Sequence, residues 1–414
     1  MASRSGLEVF AGTTRAGTLS RGDLAEGEYL FGYRAECPPA GAVSLTMPVI
    51  ADQYDSMGAL HPVFEMNLPE GALLERLRLS FAKAVPDFDD LHLLAILGRS
   101  QIGRLRYVDE GEMPGEVPAQ NLESILKFDG AEDLFEDLMQ RYAVHSGVSG
   151  VQPKVLLREA GSAPERLTER GATHIVKSFD PRRYPELAAN EYFCLRAARH
   201  AGMETSRARL ADNRRLLIVD RFDMQADGRY LGCEDFCVLN ALRAHGRYSG
   251  SYELIAKRVG QFVSGSQQRR AFEHLFALIA LSCAVENGDA HLKNFAVLYQ
   301  GAESEVRLAP AYDVISTTVY QPRDMLALTL ADSKQFPSHG ALTAFGRSAC
   351  GLSAARVKQV LEQVNEGVMA AQRDLRRYAK NQQDFAPTAE RLSAAMERGL
   401  RRSIRAQIRT RGAN

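Results

Sequence analysis

The most informative stretch of this 414-residue chain is residues 286–295, which read ENGDAHLKNF. It places an acid, Asp289, and an amide, Asn294, five positions apart in a short polar segment. A strongly apolar segment, residues 271–285, precedes it, and a short apolar run, residues 295–299, follows it. An Asn-Gly-Asp sequence between two apolar segments is also typical of an ordinary turn. The stretch therefore has two interpretations, a plain turn or a catalytic loop.

The spacing of Asp289 and Asn294 matches the Asp-x₄-Asn pattern in the catalytic loop of protein kinases. Phosphoryl transfer from ATP needs one carboxylate that accepts or orients the proton of the acceptor hydroxyl. It also needs an amide oxygen and a second carboxylate that hold Mg²⁺ against the phosphates. The sequence Tyr312-Asp313-Val314 follows at a suitable distance. We therefore predict Asp289 as the catalytic base, and Asn294 and Asp313 as the Mg²⁺ ligands.

Composition and charge restrict the class of protein. The apolar content is 45% and the charged content 25%, as in ordinary globular proteins. The 51 basic and 51 acidic residues cancel, which argues against a nucleic-acid binder that relies on a global positive field. The six cysteines, without a secretory segment at the start of the chain, are expected to be reduced thiols in the cytoplasm. The longest apolar run, residues 275–285, is too short to cross a membrane.

The pattern of apolar residues and turn residues predicts an α+β fold, rich in strands first and in helices later. Three modules are expected, at residues 1–110, 121–222 and 223–414, with a linker at 109–120 that is rich in Gly, Pro and Glu. In the first module we predict a hairpin at 7–19, strands at 29–33, 43–47 and 103–108, and helices at 73–81 and 91–97. In the second we predict helices at 133–145 and 187–201, and strands at 155–157, 173–179, 208–210 and 216–219.

The second module contains further candidates for a nucleotide site. Small residues in segment 146–154 would let backbone amides approach an anion, although a surface turn is the alternative. Lys177 lies in the middle of an apolar strand, where an ammonium group needs a partner unless the strand is an exposed edge. Glu191, on the following helix, could orient that lysine, and Glu186 is its rival. The strand that ends at residues 219–222 could present backbone groups to an adenine ring.

Six segments in this order resemble the HipA family, which comprises serine/threonine kinase toxins of bacterial toxin–antitoxin systems. The segments are SGVQPK (149–154), THIVK (173–177), NEYFCL (190–195), VDRFD (219–223), NGDAHLKNF (287–295) and APAYDV (309–314). The resemblance covers almost the whole chain. It implies a two-lobed protein-kinase-like fold with an additional small N-terminal β-rich module and a mainly helical C-terminal lobe.

The resemblance also implies roles for individual residues. The residues expected to contact ATP are Val151, Gln152, Pro153, Lys154, Val155, Leu156, Lys177, Asp220, Arg221, Phe222, His291, Leu292, Lys293, Asn294, Tyr312 and Asp313. Ser149 matches the serine of the phosphate loop that can autophosphorylate, after which the loop leaves the site. Two positions depart from the family pattern, because Pro153 stands where Glu is usual and Asp220 where Glu is common. Pro153 removes one N–H donor from the loop.

The same resemblance implies ATP and Mg²⁺ as cofactors, a protein substrate that in relatives is an aminoacyl-tRNA synthetase, and a helix-turn-helix antitoxin as partner. DNA would then be contacted only indirectly, through the antitoxin, and no membrane is involved. Two alternatives stay open: a small-molecule kinase, and a protein that acts chiefly as a corepressor of a DNA-binding antitoxin. The arginine-rich segment 398–411 is interpreted as the solvated face of a terminal helix, with nucleic-acid contact as its alternative.

Overall fold

The computed structural model describes residues 6–22, 27–70, 74, 88–114, 119–120, 122–127, 154–159 and 172–406. The chain divides into two compact units that are not continuous in sequence. The first comprises residues 1–180, 207–247 and 296–306, and the second comprises 181–206, 248–295 and 307–414. The predicted helices at 73–81 and 133–145 lie outside the described residues, apart from residue 74, and so does the phosphate loop at 146–153. The three predicted modules stay a prediction.

An antiparallel sheet forms the N-terminal part of the first unit. Its five strands lie in the order β4-β3-β2-β1-β5. They are β1 (Gly6–Ala11), β2 (Thr14–Arg21), β3 (Glu28–Tyr33), β4 (Tyr54–Met57) and β5 (Leu105–Val108). Two helices accompany them, α1 (Pro62–Glu65) and α2 (Asp90–Leu97). The predicted hairpin, the strands at 29–33 and 103–108 and the helix at 91–97 are therefore confirmed, whereas β4 and α1 had no clear signal.

The predicted strand at residues 43–47 is wrong. These residues form a turn that contains one isolated bridge, between Ser44 and Met47. The reason is a buried carboxylate that satisfies the polar groups of the segment in place of a neighbouring strand. Glu234 accepts hydrogen bonds from the Ser44 hydroxyl at 2.5 Å and from the Leu45 N–H at 2.8 Å. An apolar pattern alone does not distinguish a strand from a loop that is held in this way.

A second sheet in the first unit carries the candidate lysine. Its strands lie in the order β6-β7-β8-β10-β9. They are β6 (Ala119–Gln120), β7 (Lys154–Glu159), β8 (His174–Ser178), β9 (Ala208–Leu210) and β10 (Leu216–Asp220). A short helix, α3 (Leu122–Lys127), follows β6. Strand β6 pairs with β7 in parallel, so the end of the predicted linker belongs to this sheet. The other pairs are antiparallel, and the four predicted strands of this module are confirmed.

One apolar core joins the two sheets of the first unit. Leu7 and Phe31 from the first sheet belong to the same buried cluster as Leu157, Val176 and Ile218 from the second. The unit also contains two antiparallel strands that are distant in sequence, β11 (Gly232–Asp235) and β12 (Ala296–Tyr299), and the short helix α5 (Phe236–Leu239). Segment 207–247 returns to this unit because it contributes Ile218 and Val238 to the core, and segment 296–306 returns because β12 pairs with β11.

The second unit is mainly helical. Its helices are α4 (Leu187–His200), α6 (Tyr252–Phe262), α7 (Gly265–Ala284), α8 (His339–Ser348), α9 (Ala354–Lys380) and α10 (Ala386–Gly399). The unit also holds the two-residue strand β13 (Arg307–Leu308). Helix α4 ends as predicted, because Gly202 follows it with a φ of +77°. Within the described residues, none of the helices combines the length and the apolar character needed to cross a bilayer. The strand-rich first unit and the helical second unit together match the predicted α+β class.

Candidate active site

The end of helix α7 positions the start of the candidate catalytic loop. Residues of its second half are buried, and the helix ends in a Schellman motif, in which the N–H of Asn287 bonds to the carbonyl of Ser282 at 2.8 Å. Glu286 occupies the left-handed position of this motif, with a φ of 54°. Glycine is usual there, because a side chain costs about 1 kcal/mol in this conformation. We therefore expect contacts of the Glu286 side chain to offset this cost.

The side chain of Glu286 is buried, with 2% of its surface exposed, and is surrounded by donors. Its carboxylate accepts hydrogen bonds from the Thr318 hydroxyl and from Arg398 Nη2, each at 2.8 Å. Arg402 Nη1 lies 3.3 Å from its other oxygen. Arg398 and Arg402 come from helix α10 and the turn that follows it, so the C-terminal helix is tied to the first residue of the loop.

These contacts also bear on the arginine-rich tail. Arg401 and Arg405 each lie 2.8 Å from a carboxylate oxygen of Glu397. The four arginines at 398, 401, 402 and 405 thus each contact one of two acids of the same chain, while Arg409 and Arg411 lie outside the described residues. Two acids neutralise only part of the charge of four arginines, so both interpretations of the tail stay predictions.

The loop itself is a hydrogen-bonded turn that contains both candidate residues, Asp289 and Asn294. The side-chain oxygen of Asn287 accepts the N–H of Asp289 at 3.0 Å, an Asx-turn of the kind that Asn-Gly-Asp predicts. The N–H of His291 donates to the carbonyl of Asp289 at 2.8 Å and to the side-chain oxygen of Asn294 at 3.0 Å. A short 3₁₀ helix then carries the buried Leu292. The turn and the catalytic loop are therefore compatible interpretations of one segment.

The second candidate metal ligand lies next to this loop. The hydroxyl of Tyr312 donates to the carbonyl of Lys293 at 2.8 Å, which places Asp313 beside the segment that carries Asn294. Asp313 adopts a φ of 51°, and Asp is one of the few residues that tolerate this conformation. Strained non-glycine residues are common at functional sites. The second unit thus brings together Asp289, Asn294 and the Tyr312-Asp313 pair.

A buried amide fixes the chain just after Asp313. Asn190, on helix α4, accepts the N–H of Ser316 at 2.8 Å and donates to the Ser316 carbonyl at 2.9 Å. Glu191 follows Asn190 on this helix and is also buried. Lys177 belongs to the first unit and Glu191 to the second, so their predicted ion pair stays a prediction, as does the rival role of Glu186.

Sequence reasoning missed two side chains that contact the loop. The Tyr248 hydroxyl donates to Asp289 Oδ1 at 2.8 Å, and its ring lies edge-on to His291 with centroids 5.0 Å apart. The Thr317 hydroxyl oxygen accepts the N–H of Gly288 at 2.8 Å. These residues lie 41 and 29 positions away from their partners in sequence. No local pattern could have indicated either contact, because each depends on how distant segments pack.

In the first unit, the register of the second sheet places two candidate lysines opposite each other. Lys154 on β7 pairs directly with Lys177 on β8, so both side chains point to the same face. They are 7% and 2% exposed. Because β8 lies inside the sheet, the exposed-edge alternative for Lys177 is wrong. Two buried ammonium groups make this face of the sheet positive, and a polyphosphate would suit it.

The hydrophobic neighbours of these lysines belong to the core. Val155 and Leu156 are fully buried in the core of the first unit, so their side chains serve packing. A nucleotide would therefore meet this strand through its backbone and through Lys154. The remaining predicted residues of the phosphate loop, Ser149, Val151, Gln152 and Pro153, lie outside the described residues.

The predicted hinge contains an arginine that faces inward. Arg221 forms a buried ion pair with Asp223, with Nη2 and Oδ2 2.6 Å apart, and donates to the Gln101 carbonyl at 2.7 Å. Its guanidinium also lies 4.2 Å from the ring centre of Tyr230. Burial alone would lower the pKa of Arg221, but the Asp223 carboxylate outweighs burial and raises the pKa. Its side chain is thus committed to the protein interior, which leaves the backbone of Asp220 and Phe222 as the better candidates for an adenine contact.

Asp220, at the end of β10, is held by two basic side chains. Its Oδ1 lies 3.3 Å from His174 Nε2 and 3.3 Å from Arg209 Nη2. Partial burial would raise the pKa of Asp220, but the hydrogen bonds and charges of His174 and Arg209 outweigh burial and lower the pKa. The carboxylate is therefore charged at neutral pH and holds strands β8, β9 and β10 together beside the predicted hinge.

The donor set fits the group that the chemistry requires. Mg²⁺ prefers oxygen ligands, and it is often held by one or two protein groups together with substrate phosphates. An amide oxygen from Asn294 and a carboxylate from Asp313 are ligands of this type. The Asn294 oxygen already accepts one hydrogen bond, and an amide oxygen has a second lone pair for a metal.

Comparison with known proteins places the chain in a family. The HipA N-terminal domain matches residues 7–108, and the HipA-like C-terminal domain matches residues 146–372. "Putative kinase Y4mE" of Sinorhizobium fredii is 28% identical over 295 residues, which cover 67% of this chain and 69% of that protein. A "Putative kinase" of Haemophilus influenzae is 28% identical over 189 residues, which cover 42% and 53% of the two chains.

A solved structure extends the similarity to the fold. HipA of Shewanella oneidensis, in a complex with HipB and operator DNA, has a TM-score of 0.67 and 21% identity, and the match covers 95% of this chain and 97% of that one. This match confirms the predicted fold class across nearly the whole chain. Because the C-terminal domain match alone spans more than half of the residues, the chain belongs to the HipA family.

Proposed function

We propose that the protein is an ATP- and Mg²⁺-dependent protein serine/threonine kinase that acts as the growth-inhibiting toxin of a toxin–antitoxin pair. The observation that carries this proposal is the loop at 287–294, in which one hydrogen-bonded turn holds both Asp289 and Asn294. The family of the chain, and relatives that are named as kinases, support the same chemistry.

Each candidate side chain has a role that follows from its chemistry. Asp289 accepts the proton of the acceptor hydroxyl as that oxygen attacks the γ-phosphorus, and the bond from this phosphorus to the bridging oxygen breaks, so that ADP leaves. Lys154 and Lys177 balance the negative charge of the phosphates from one face of the sheet. Asn294 and Asp313 would hold Mg²⁺. When bound, Mg²⁺ would neutralise part of the phosphate charge.

Supporting roles fall to the remaining candidates. Glu191 orients Lys177, and the backbone of segment 151–156 cradles the phosphates, with the Asp220–Phe222 segment against the adenine. His291, Leu292, Lys293 and Tyr312 shape the loop on which Asp289 and Asn294 lie. Ser149 is the proposed site of autophosphorylation. A phosphate there would add about −1.5 to −2 charges beside the ATP phosphates and repel them.

A partner protein forms part of the proposal. The solved relative is a complex of HipA with HipB and operator DNA. We infer a helix-turn-helix antitoxin as partner for this chain, and DNA contact only through that antitoxin, since the formal net charge of the chain is zero. The same observation favours a second role as corepressor beside the catalytic one. We also propose a protein target such as an aminoacyl-tRNA synthetase. This target and both roles imply a protein of the cytoplasm.

Mass spectrometry after incubation with Mg-ATP tests the proposal. The purified chain is incubated alone and with a cell lysate, and phosphosites are mapped on both. We expect phosphate on Ser149 and on serine or threonine of a lysate protein, and no phosphate with Asp289→Asn. Label that appears only on a small metabolite would support a small-molecule kinase instead. If the wild-type chain transfers no phosphate while it binds an antitoxin, the corepressor role alone remains.

A further inference from the structure

Tyr248 contacts the candidate base from outside the catalytic loop. It ends the 3₁₀ helix at residues 244–248, and its side chain is partly exposed. Its hydroxyl donates to Asp289 Oδ1 at 2.8 Å. The edge of its ring packs against His291, with an angle of 79° between the two rings. The phenol is thus held at one end by the base and along its ring by a residue of the same loop.

The backbone of Asp289 is fixed by the loop, but its side chain is not fixed by these bonds. The N–H of Asp289 bonds to Asn287, and its carbonyl accepts from His291. Rotation about the side-chain torsions would still move the carboxylate oxygens. The Tyr248 hydroxyl limits that rotation, and this bond takes only one of the about four acceptor sites that a carboxylate offers.

We propose that Tyr248 is a positioning residue for the proton-accepting carboxylate of Asp289. It holds Oδ1 so that the carboxylate presents its remaining acceptor capacity to the hydroxyl of the phosphate acceptor. This arrangement follows the general pattern in which a catalytic base is oriented by a third group. The inference rests on the proposed kinase function, and it adds a residue that lies outside the six short segments that carry the resemblance.

The test compares Tyr248→Phe with the wild type and with Tyr252→Phe. Tyr248→Phe removes only the hydroxyl and keeps the ring against His291. Tyr252 is the matched control, because its hydroxyl donates to the Ala290 carbonyl at 3.0 Å and so contacts the same loop without a hydrogen bond to Asp289. The measurements are the single-turnover rate of ³²P transfer from Mg-ATP, its dependence on Mg-ATP concentration, and the melting temperature. The acceptor is whichever protein the wild type labels, its own chain or a lysate protein.

We expect Tyr248→Phe to lower the single-turnover rate about 10- to 100-fold, the range seen when a group that orients a reactive ligand is lost. The Mg-ATP concentration for half-maximal rate and the melting temperature should stay unchanged. Tyr252→Phe should lower the melting temperature and change the rate less than about twofold, since the loss of a buried hydrogen bond acts on stability.

Several results would overturn the inference. An unchanged rate for Tyr248→Phe would show that the hydroxyl has no role in transfer. A higher rate would show that Tyr248 blocks the acceptor position, and phosphate found on Tyr248 itself would show that it is an acceptor. An equal loss of rate with Tyr252→Phe would show that the effect comes from a change in the structure of the loop and not from the bond to Asp289. If the wild type transfers no phosphate, both the kinase function and this inference are wrong. If the wild type is active and Asp289→Asn is inactive, the kinase function holds, and the rate of Tyr248→Phe then tests the role of Tyr248 alone.

Discussion

Lys154 and Lys177 lie directly opposite each other on adjacent strands, and both side chains are buried. Buried charges are normally paired, and two ammonium groups on one face of a sheet make that face positive. A polyphosphate would suit this face, and no single strand of the sequence shows that the two lysines meet.

Replacement of Lys177 by Met should separate binding from stability. Loss of a charge-assisted contact of about 1.5–3 kcal/mol weakens Mg-ATP binding about 10- to 150-fold. Met has nearly the length of the Lys177 side chain, so we expect the fold to be kept in the absence of nucleotide. Calorimetric titration measures nucleotide binding, and urea unfolding checks the fold. Lys127→Met, at an exposed lysine on α3 of the same unit, is the control. Equal weakening of Mg-ATP binding by both variants would contradict the assignment of Lys177.

Asp289→Asn should abolish transfer while it leaves the fold intact. Asn keeps the shape of the side chain and its bond from Tyr248, but it cannot take a proton. A general base contributes about 10²- to 10⁴-fold to a rate, so the single-turnover rate of labelled phosphate transfer should fall by that factor. Asp227→Asn, an exposed acid paired with Arg229, serves as control and should keep the parent rate. Retained transfer in Asp289→Asn would exclude Asp289 as the base.

Asp313→Asn tests the metal ligand without altering the backbone, because Asn tolerates the φ of 51° as well as Asp does. Loss of the negative charge should raise the Mg²⁺ concentration needed for half-maximal transfer about tenfold or more. Asp332→Asn is a close control, since Asp332 is exposed and has a φ of 59°. The requirement for Mg²⁺ is measured at constant ATP. A parallel shift in both variants would point to a general effect of charge.

Glu286→Gln should destabilise the second unit. The substitution keeps the size of the side chain but removes the charge that Arg398 and Arg402 contact, and hydrogen bonds to charged groups contribute about 1.5–3 kcal/mol. We expect a loss of that order in the free energy of unfolding, measured with urea. Glu397→Gln removes a more exposed acid that also contacts two arginines, and it should cost less than about 1 kcal/mol. The reverse order of the two losses would argue against burial as the cause.

The low pKa of His61 predicts that the free energy of unfolding of the first unit depends on pH. Burial lowers the pKa of His61 from the usual 6.5 to about 4. Between these values the unfolded chain binds a proton at this residue and the folded chain does not. The contribution of His61 to stability is thus fully present above about pH 6.5 and is lost as the pH falls towards 4.

His61→Asn should reduce this loss, because Asn also caps helix α1 but does not titrate. Urea unfolding at several pH values between about 4 and 7 compares the variant with the parent chain. His245→Asn, at an exposed histidine, is the control. An unchanged pH dependence in His61→Asn would show that other groups dominate in this range.

The strands and helices that the sequence predicts correctly have a local cause. The hairpin at 7–19 follows from the alternation of its apolar residues and from its turn residues. The helix at 91–97 follows from a run of good helix formers just after the capping residue Asp89. The prediction of a strand at 43–47 was wrong, because the segment is held by Glu234, which lies 190 positions from Ser44 and so leaves no local pattern. The turn at Asn287 could be predicted from the sequence, since its donor and acceptor lie two residues apart.

The sequence by itself determined which residues can perform the chemistry: an acid and an amide at kinase spacing, a later Tyr-Asp pair, and a lysine within an apolar strand. The tertiary structure alone decided their surroundings. It placed Lys177 on an inner strand opposite Lys154, brought Tyr248 to Asp289, and tied Arg398 to Glu286 across 112 positions of sequence. Strand order and helix packing depend on the burial of the whole chain, whereas periodicity and turn residues act only over neighbouring positions.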